Sequence, residues 1–87
     1  MEFEYDHKKS DINLRKHGID FERAKLLWDD EKRLVVPARS STEPREALIA
    51  ALDGVYWTAV YTLRGEAIRL ISVRRSRNEE IENYYHS

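Results

Sequence analysis

An 87-residue chain with 15 lysines and arginines against 16 aspartates and glutamates, a net charge of -1 and no cysteine holds one small domain and excludes a disulfide framework or a thiolate zinc site. No apolar run approaches the ~20 residues that cross a bilayer, and the opening Met1-Glu2-Phe3-Glu4-Tyr5-Asp6 has no secretory pattern, so the expectation is a single domain over 1–87 in the cytoplasm. The near-neutral balance conceals a gradient: residues 1–32 hold seven basic and nine acidic side chains, whereas residues 64–77 hold five arginines and one carboxylate.

Phe3 and Tyr5 alternate with Glu2 and Glu4 in a short strand that runs straight into Asp6, a helix N-cap. The first helix is expected over 6–17, closed by Gly18 as a left-handed C-cap, with Lys16 and His17 in the last turn. Asp20 restarts a helix on which Phe21, Ala24, Leu27 and Trp28 form one apolar stripe, giving a hairpin of two short helices that docks on a sheet. Leu34, Val35 and Val36 make a short strand that Pro37 ends or places at an edge. Residues 39–44 have the composition of a loop.

Three strands follow over 47–52, 55–62 and 67–74, a meander joined at Asp53-Gly54 and Arg64-Gly65. An Arg64-Gly65 turn sets Tyr61 opposite Ile68, Ala59 opposite Leu70 and Trp57 opposite Ser72, on the face that meets the helices. Thr58, Val60 and Thr62 then lie beside Arg69 on the other face. A last helix over 79–85 carries Ile81, Tyr84 and Tyr85 on one stripe. The fold class is α+β: a small antiparallel sheet packed against an N-terminal helical hairpin and a short C-terminal helix.

Arg64, Arg69, Arg74, Arg75 and Arg77 form an anion-binding strip, and the planar guanidinium fork suits the phosphate oxygens of RNA. Ion pairs with Glu79, Glu80 and Glu82 are the competing account. Because the first half is acidic, binding should be local and brief, or assisted by the ribosome. RNA cleavage without a metal needs a base for the ribose 2′-hydroxyl, cations for the charge gathering on phosphorus and an acid for the leaving oxygen. Lys16 and His17 can supply proton transfer or can simply complement the helix dipole. Arg69, mid-strand between Ile68 and Leu70, needs an anion, either Glu80 or a phosphate. Arg64 is a ligand-reaching turn residue or a solvated one. Tyr84 and Tyr85 suit base stacking, with one of them in the core. His7, His17 and His86 have no metal-ligand spacing and the three glycines are isolated, so neither a metal site nor a cofactor is expected.

Nearly end to end, the order of residues resembles the BrnT toxins of bacterial toxin-antitoxin pairs, ribonucleases of the RelE-like superfold. The resemblance is carried by Phe3-Glu4-Tyr5-Asp6, Lys9, Asn13, Lys16-His17-Gly18-Ile19, Phe21-Glu22, Ala24 and Asp30. It continues in Val60-Tyr61-Thr62, Arg64-Gly65, Arg69-Leu70-Ile71-Ser72-Val73-Arg74, Glu80 and Tyr84. His7 and Ser76 depart from the common pattern, as does the acidic first half. The resemblance implies metal-independent RNA cleavage that slows translation and neutralisation by a BrnA-like antitoxin, with operator DNA reached only through that antitoxin. It assigns Lys16, His17, Arg64, Arg69 and Arg74 to the active site, with Glu80 in support and Arg75, Arg77 and Tyr84 as further RNA contacts. The alternative is a non-catalytic module of the same fold that keeps the antitoxin contacts. The catalytic reading requires the arginines of the last two strands to converge with the end of the first helix on one ribose-phosphate unit.

Overall fold

The computed structural model describes residues 1–40 and 42–87, so the expected loop over 39–44 is described except for Ser41, which lies outside the described residues. Strand β1 (Glu2–Glu4) ends two residues before helix α1 (His7–His17), which starts where the Asp6 carboxylate accepts the N–H groups of Lys8 and Lys9. Gly18 ends it with φ of 85°, and its N–H donates to the Leu14 carbonyl. A side chain there would strain the left-handed backbone that this cap needs.

Asp20 caps the next helix by accepting the N–H of Arg23. Helix α2 (Phe21–Ala24) makes a single turn before tightening into a 3₁₀ helix over Lys25–Asp29. The expected hairpin of two helices is thus reduced in its second arm. Its apolar stripe behaves as predicted: Phe21, Ala24 and Leu27 are buried, and Trp28 packs against the same core.

The remaining strands are β2 (Leu34–Ala38), β3 (Arg45–Leu52), β4 (Val55–Arg64) and β5 (Ala67–Arg75), in the spatial order β1-β5-β4-β3-β2. The sheet is mixed rather than antiparallel, because β1 runs parallel to β5, with Glu4 opposite Arg69. A parallel pair needs a long connection, and here the whole domain supplies it. Nothing in the local alternation of residues 2–5 reports such a distant partner. β2 occupies the far edge, where Pro37 is tolerated opposite Glu46.

Two further differences concern the β4–β5 hairpin. The turn is Gly65-Glu66, one residue later than expected, with Arg64 paired to Ala67 and Gly65 at φ of 59°. Positive φ at the first turn residue alone is the pattern of a type II′ hairpin, where glycine is favoured. Tyr61 therefore faces Leu70, not Ile68. Beyond it the register shifts, so that Val60 faces Ser72 and Ile71 is the extra residue of a β-bulge. Val73, rather than Ser72, then enters the core opposite Ala59.

One face of the sheet, with Leu48, Ala50, Trp57, Ala59, Tyr61, Ile68, Leu70 and Val73, meets Ile19, Phe21, Ala24 and Leu27. Helix α3 (Asn78–His86) packs on β3. Its Glu80 accepts from Thr58, whose neighbours Trp57 and Ala59 point to the core, so α3 covers the other face. Tyr84 is buried there and Tyr85 is 64% exposed, so one of the two enters the core as expected, but it is Tyr84, the residue assigned to RNA, that is covered.

Short edge strands leave backbone groups of their neighbours unpaired, and two side chains take these up. Asn13 donates to the carbonyls of Val73 and Ile19 and accepts the N–H of Val73. At the other end of the sheet, the Asp30 carboxylate accepts the N–H of Ala51 and the hydroxyl of Tyr84. Each buried peptide group deprived of a partner costs roughly 1–3 kcal/mol. Asn13→Ala should therefore lower the free energy of unfolding in urea by about 3 kcal/mol or more, well beyond the effect of an exposed alanine substitution such as Lys8→Ala.

Candidate functional site

Strict strand alternation would put Arg69 and Arg74, five positions apart, on opposite faces. The bulge at Ile71 restores them to one face, where Arg69 stands opposite Thr62 and Arg74 opposite Thr58. Both project from the side of the sheet away from the helical core. Arg75, on the core side, places its guanidinium 5.3 Å from the Trp57 ring, a cation–π contact.

The arginines divide into two clusters about 13 Å apart along the sheet, the four-residue span from Thr62 to Thr58. In the first, Arg64 and Arg69 share one oxygen of Glu4, at 3.8 and 3.5 Å. Both distances exceed the roughly 2.7–2.9 Å of a strong charge-assisted hydrogen bond, and Arg64 remains exposed. In the second, Arg74 donates to both oxygens of Glu80, at 2.8 and 3.1 Å. Glu80 also accepts the N–H of Arg77 and the hydroxyl of Thr58, which in turn bonds Ser76. Arg77 is the N-cap of α3 and is itself exposed. The carboxylate expected as a partner for Arg69 thus belongs to Arg74, and Glu4 takes its place.

Lys16 and His17 lie one turn beyond Asn13, which grips Val73 beside Arg74. The end of α1 therefore stands nearer the Arg74 end of β5 than the Arg69 end. Among the described residues, no hydrogen bond or ion pair joins Lys16 or His17 to an arginine. Tyr84 donates to Asp30 at 2.7 Å, and burial, followed by that hydrogen bond, pushes its hydroxyl up to about 12. Exposed Tyr85, together with Tyr56, Tyr84, Glu31, Lys32, Arg33 and Ser87, lines a cavity of about 590 Å³ on the α3 side. Among the described residues no group of His, Asp and Glu side chains gathers in a metal-binding cluster, and no helix is long and apolar enough to cross a membrane.

Glu4 was not foreseen as a site residue, because its role depends on the parallel pairing of β1. Neither was Arg45, whose strand begins two residues before the expected Ala47. Its alternation with Ala47 and Ile49 was the available signal.

A mixed five-stranded sheet with arginines on the face opposite its helical core defines a small α+β protein with a cationic sheet surface. A family model described as the ribonuclease toxin, BrnT, of type II toxin-antitoxin systems matches residues 5–80, and the chain belongs to that family. A search among curated proteins finds no match.

Burial alone would raise the Glu80 carboxyl, but the Arg74 guanidinium, the Arg77 N–H and the Thr58 hydroxyl outweigh it and hold the group below the usual glutamate range. Glu80 therefore binds its proton less readily in the folded chain than in the unfolded one. Its contribution to stability is complete above the ordinary carboxylate range and is lost as pH falls through that range to the lower folded value. Glu80→Gln should reduce stability at pH 7 and flatten the decline of melting temperature below about pH 5, as followed by circular dichroism.

Proposed function

We propose that this chain is the toxin of a type II toxin-antitoxin pair and acts as a metal-independent endoribonuclease that slows translation. The observation that carries the reading is the pair Arg64 and Arg69, held only loosely on Glu4 beside the turn of the β4–β5 hairpin. A phosphate entering there can displace the carboxylate contacts and take the guanidinium forks bidentately.

In the proposed reaction the ribose 2′-oxygen attacks the adjacent phosphorus as its proton passes to Lys16 or His17, whose side chains must reach from the Arg74 end of β5 toward Arg69 in the RNA complex. The bond from phosphorus to the 5′-oxygen breaks, that oxygen leaves with a proton as a 5′-hydroxyl, and the upstream fragment ends in a 2′,3′-cyclic phosphate. Arg64 and Arg69 stabilise the charge that builds on the phosphoryl oxygens. Arg74, fully engaged by Glu80, sets the position of α3 and of the exposed Arg77, which extends the strip along the RNA, while Arg75 turns to the other face over Trp57. A BrnA-like antitoxin neutralises the protein by covering that strip with acidic and apolar side chains, and operator DNA is contacted only through it. The setting is the cytoplasm, with RNA, free or ribosome-associated, as substrate.

A second reading, an antitoxin-binding module that cuts no RNA, is favoured by one observation: the end of α1, with Lys16 and His17, stands at the Arg74 end of β5, away from Arg64 and Arg69. Expression with and without the neighbouring antitoxin gene separates the two. The ribonuclease arrests growth when expressed alone and cleaves purified RNA in EDTA to products with cyclic phosphate ends. Arg69→Ala should lower that cleavage on the order of 10²-fold while leaving the melting temperature within a few degrees. Unimpaired growth together with intact RNA at high protein concentration would refute catalysis.

A further inference from the structure

Arg45 opens β3 and shares the α3 side of the sheet with Ala47 and Ile49, the face turned away from the helical core. The register that sets Glu46 opposite Tyr61 brings Arg45 level with Thr62, and Thr62 in turn faces Arg69. The hydroxyl of Thr62 donates to the Pro44 carbonyl at 2.8 Å, which confirms how closely the start of β3 approaches β4. Three neighbouring strands thus present Arg45, Thr62 and Arg69 as one row. Strands lie about 4.8 Å apart, so the two arginine backbones stand about 10 Å from each other, a span that two guanidinium arms close around a single phosphate.

Neither arginine is well satisfied. Arg69 reaches Glu4 only at 3.5 Å and Arg45 reaches Glu43 only at 3.6 Å. The Nε of Arg45 is buried and has no hydrogen-bond partner among the described residues. A buried charged donor left unpaired is costly, and in a folded protein it signals an absent acceptor. The contrast is Arg74, on the same face, whose fork is filled by Glu80. Self-repulsion between two cations bracketing a hydroxyl is relieved by an anion placed between them.

We infer that Arg45 and Arg69 form a two-guanidinium subsite, spanning Thr62, that holds one backbone phosphate of a single RNA strand. This rests on the ribonuclease reading for the identity of its ligand. The phosphate held is the neighbour of the scissile one, with Arg69 standing between Arg64 and Arg45 and serving both, so Arg45 is a binding residue and not a proton-transfer group.

The test uses the full chain and an uncleavable 2′-deoxy oligonucleotide, followed through the arginine Nε–H resonances in ¹H–¹⁵N spectra. The Arg45 Nε resonance shifts saturably with the oligonucleotide. Arg45→Gln weakens its binding about tenfold and reduces the salt dependence by about one phosphate contact. In cleavage assays the same substitution raises KM more than it lowers kcat, and Arg45→Lys, which keeps the charge without the fork, recovers only part of the loss. Lys8→Gln, on the exposed start of α1, leaves all of these unchanged. A static Arg45 resonance in the unmodified protein, or an Arg45→Gln variant that binds as tightly as the parent, overturns the subsite even if RNA is still cut. Saturable binding at Arg45 with no RNA cleavage sustains the subsite and overturns the ribonuclease reading instead.

Discussion

The face that carries the arginines exists because one residue of β5 goes unpaired. With Ile71 bulged out, an odd spacing becomes an even one, and Arg69 and Arg74 share a surface that they would otherwise divide. The bulge is held from outside the sheet, since the amide of Asn13 takes both backbone groups of Val73, two positions on. β1 is too short to pair with β5 at that level, so a side chain does what a longer edge strand would have done. Core packing depends on the same device, because it is the bulge that turns Val73 inward against Ala59.

Arginines of equal formal charge serve different purposes on this surface. Arg74 is a strut: two hydrogen bonds to Glu80, itself held by Thr58 and by the Arg77 N–H, fasten the start of α3 to the sheet. Its removal would leave Glu80 partly buried without its cation. Arg64 and Arg69 have a carboxylate close enough to limit their mutual repulsion and too far to saturate their forks. An anion with more oxygens than Glu4 competes for them on favourable terms.

Much of this was legible in the sequence. Asp6, Gly18 and Asp20 mark helix boundaries through cap chemistry that acts within a few residues, and each does so in the structure. The stripe of Phe21, Ala24 and Leu27 and the edge position of the strand containing Pro37 also follow from local pattern, whereas which of Tyr84 and Tyr85 is covered does not. What escaped was non-local. The parallel partnership of β1, the bulge at Ile71 and the exchange of partners between Glu4 and Glu80 are set by how distant segments meet, and the alternation of polar and apolar residues is indifferent to them. The turn was misplaced by one residue because Arg64-Gly65 and Gly65-Glu66 both use the same glycine. The arginine strip was visible as composition; its division into two clusters required the register.

Glu4 and Arg69 lie 65 positions apart, and Asn13 and Val73 lie 60 apart, so the contacts that shape the anion surface are among the most distant in the chain. Contacts of such high order form late in folding. During synthesis neither can form before β5 has left the exit tunnel, and until then the arginines that define the surface are not yet held in one plane. A nascent chain that has not yet yielded β5 consequently lacks the organised surface, however much of its N-terminal half has folded.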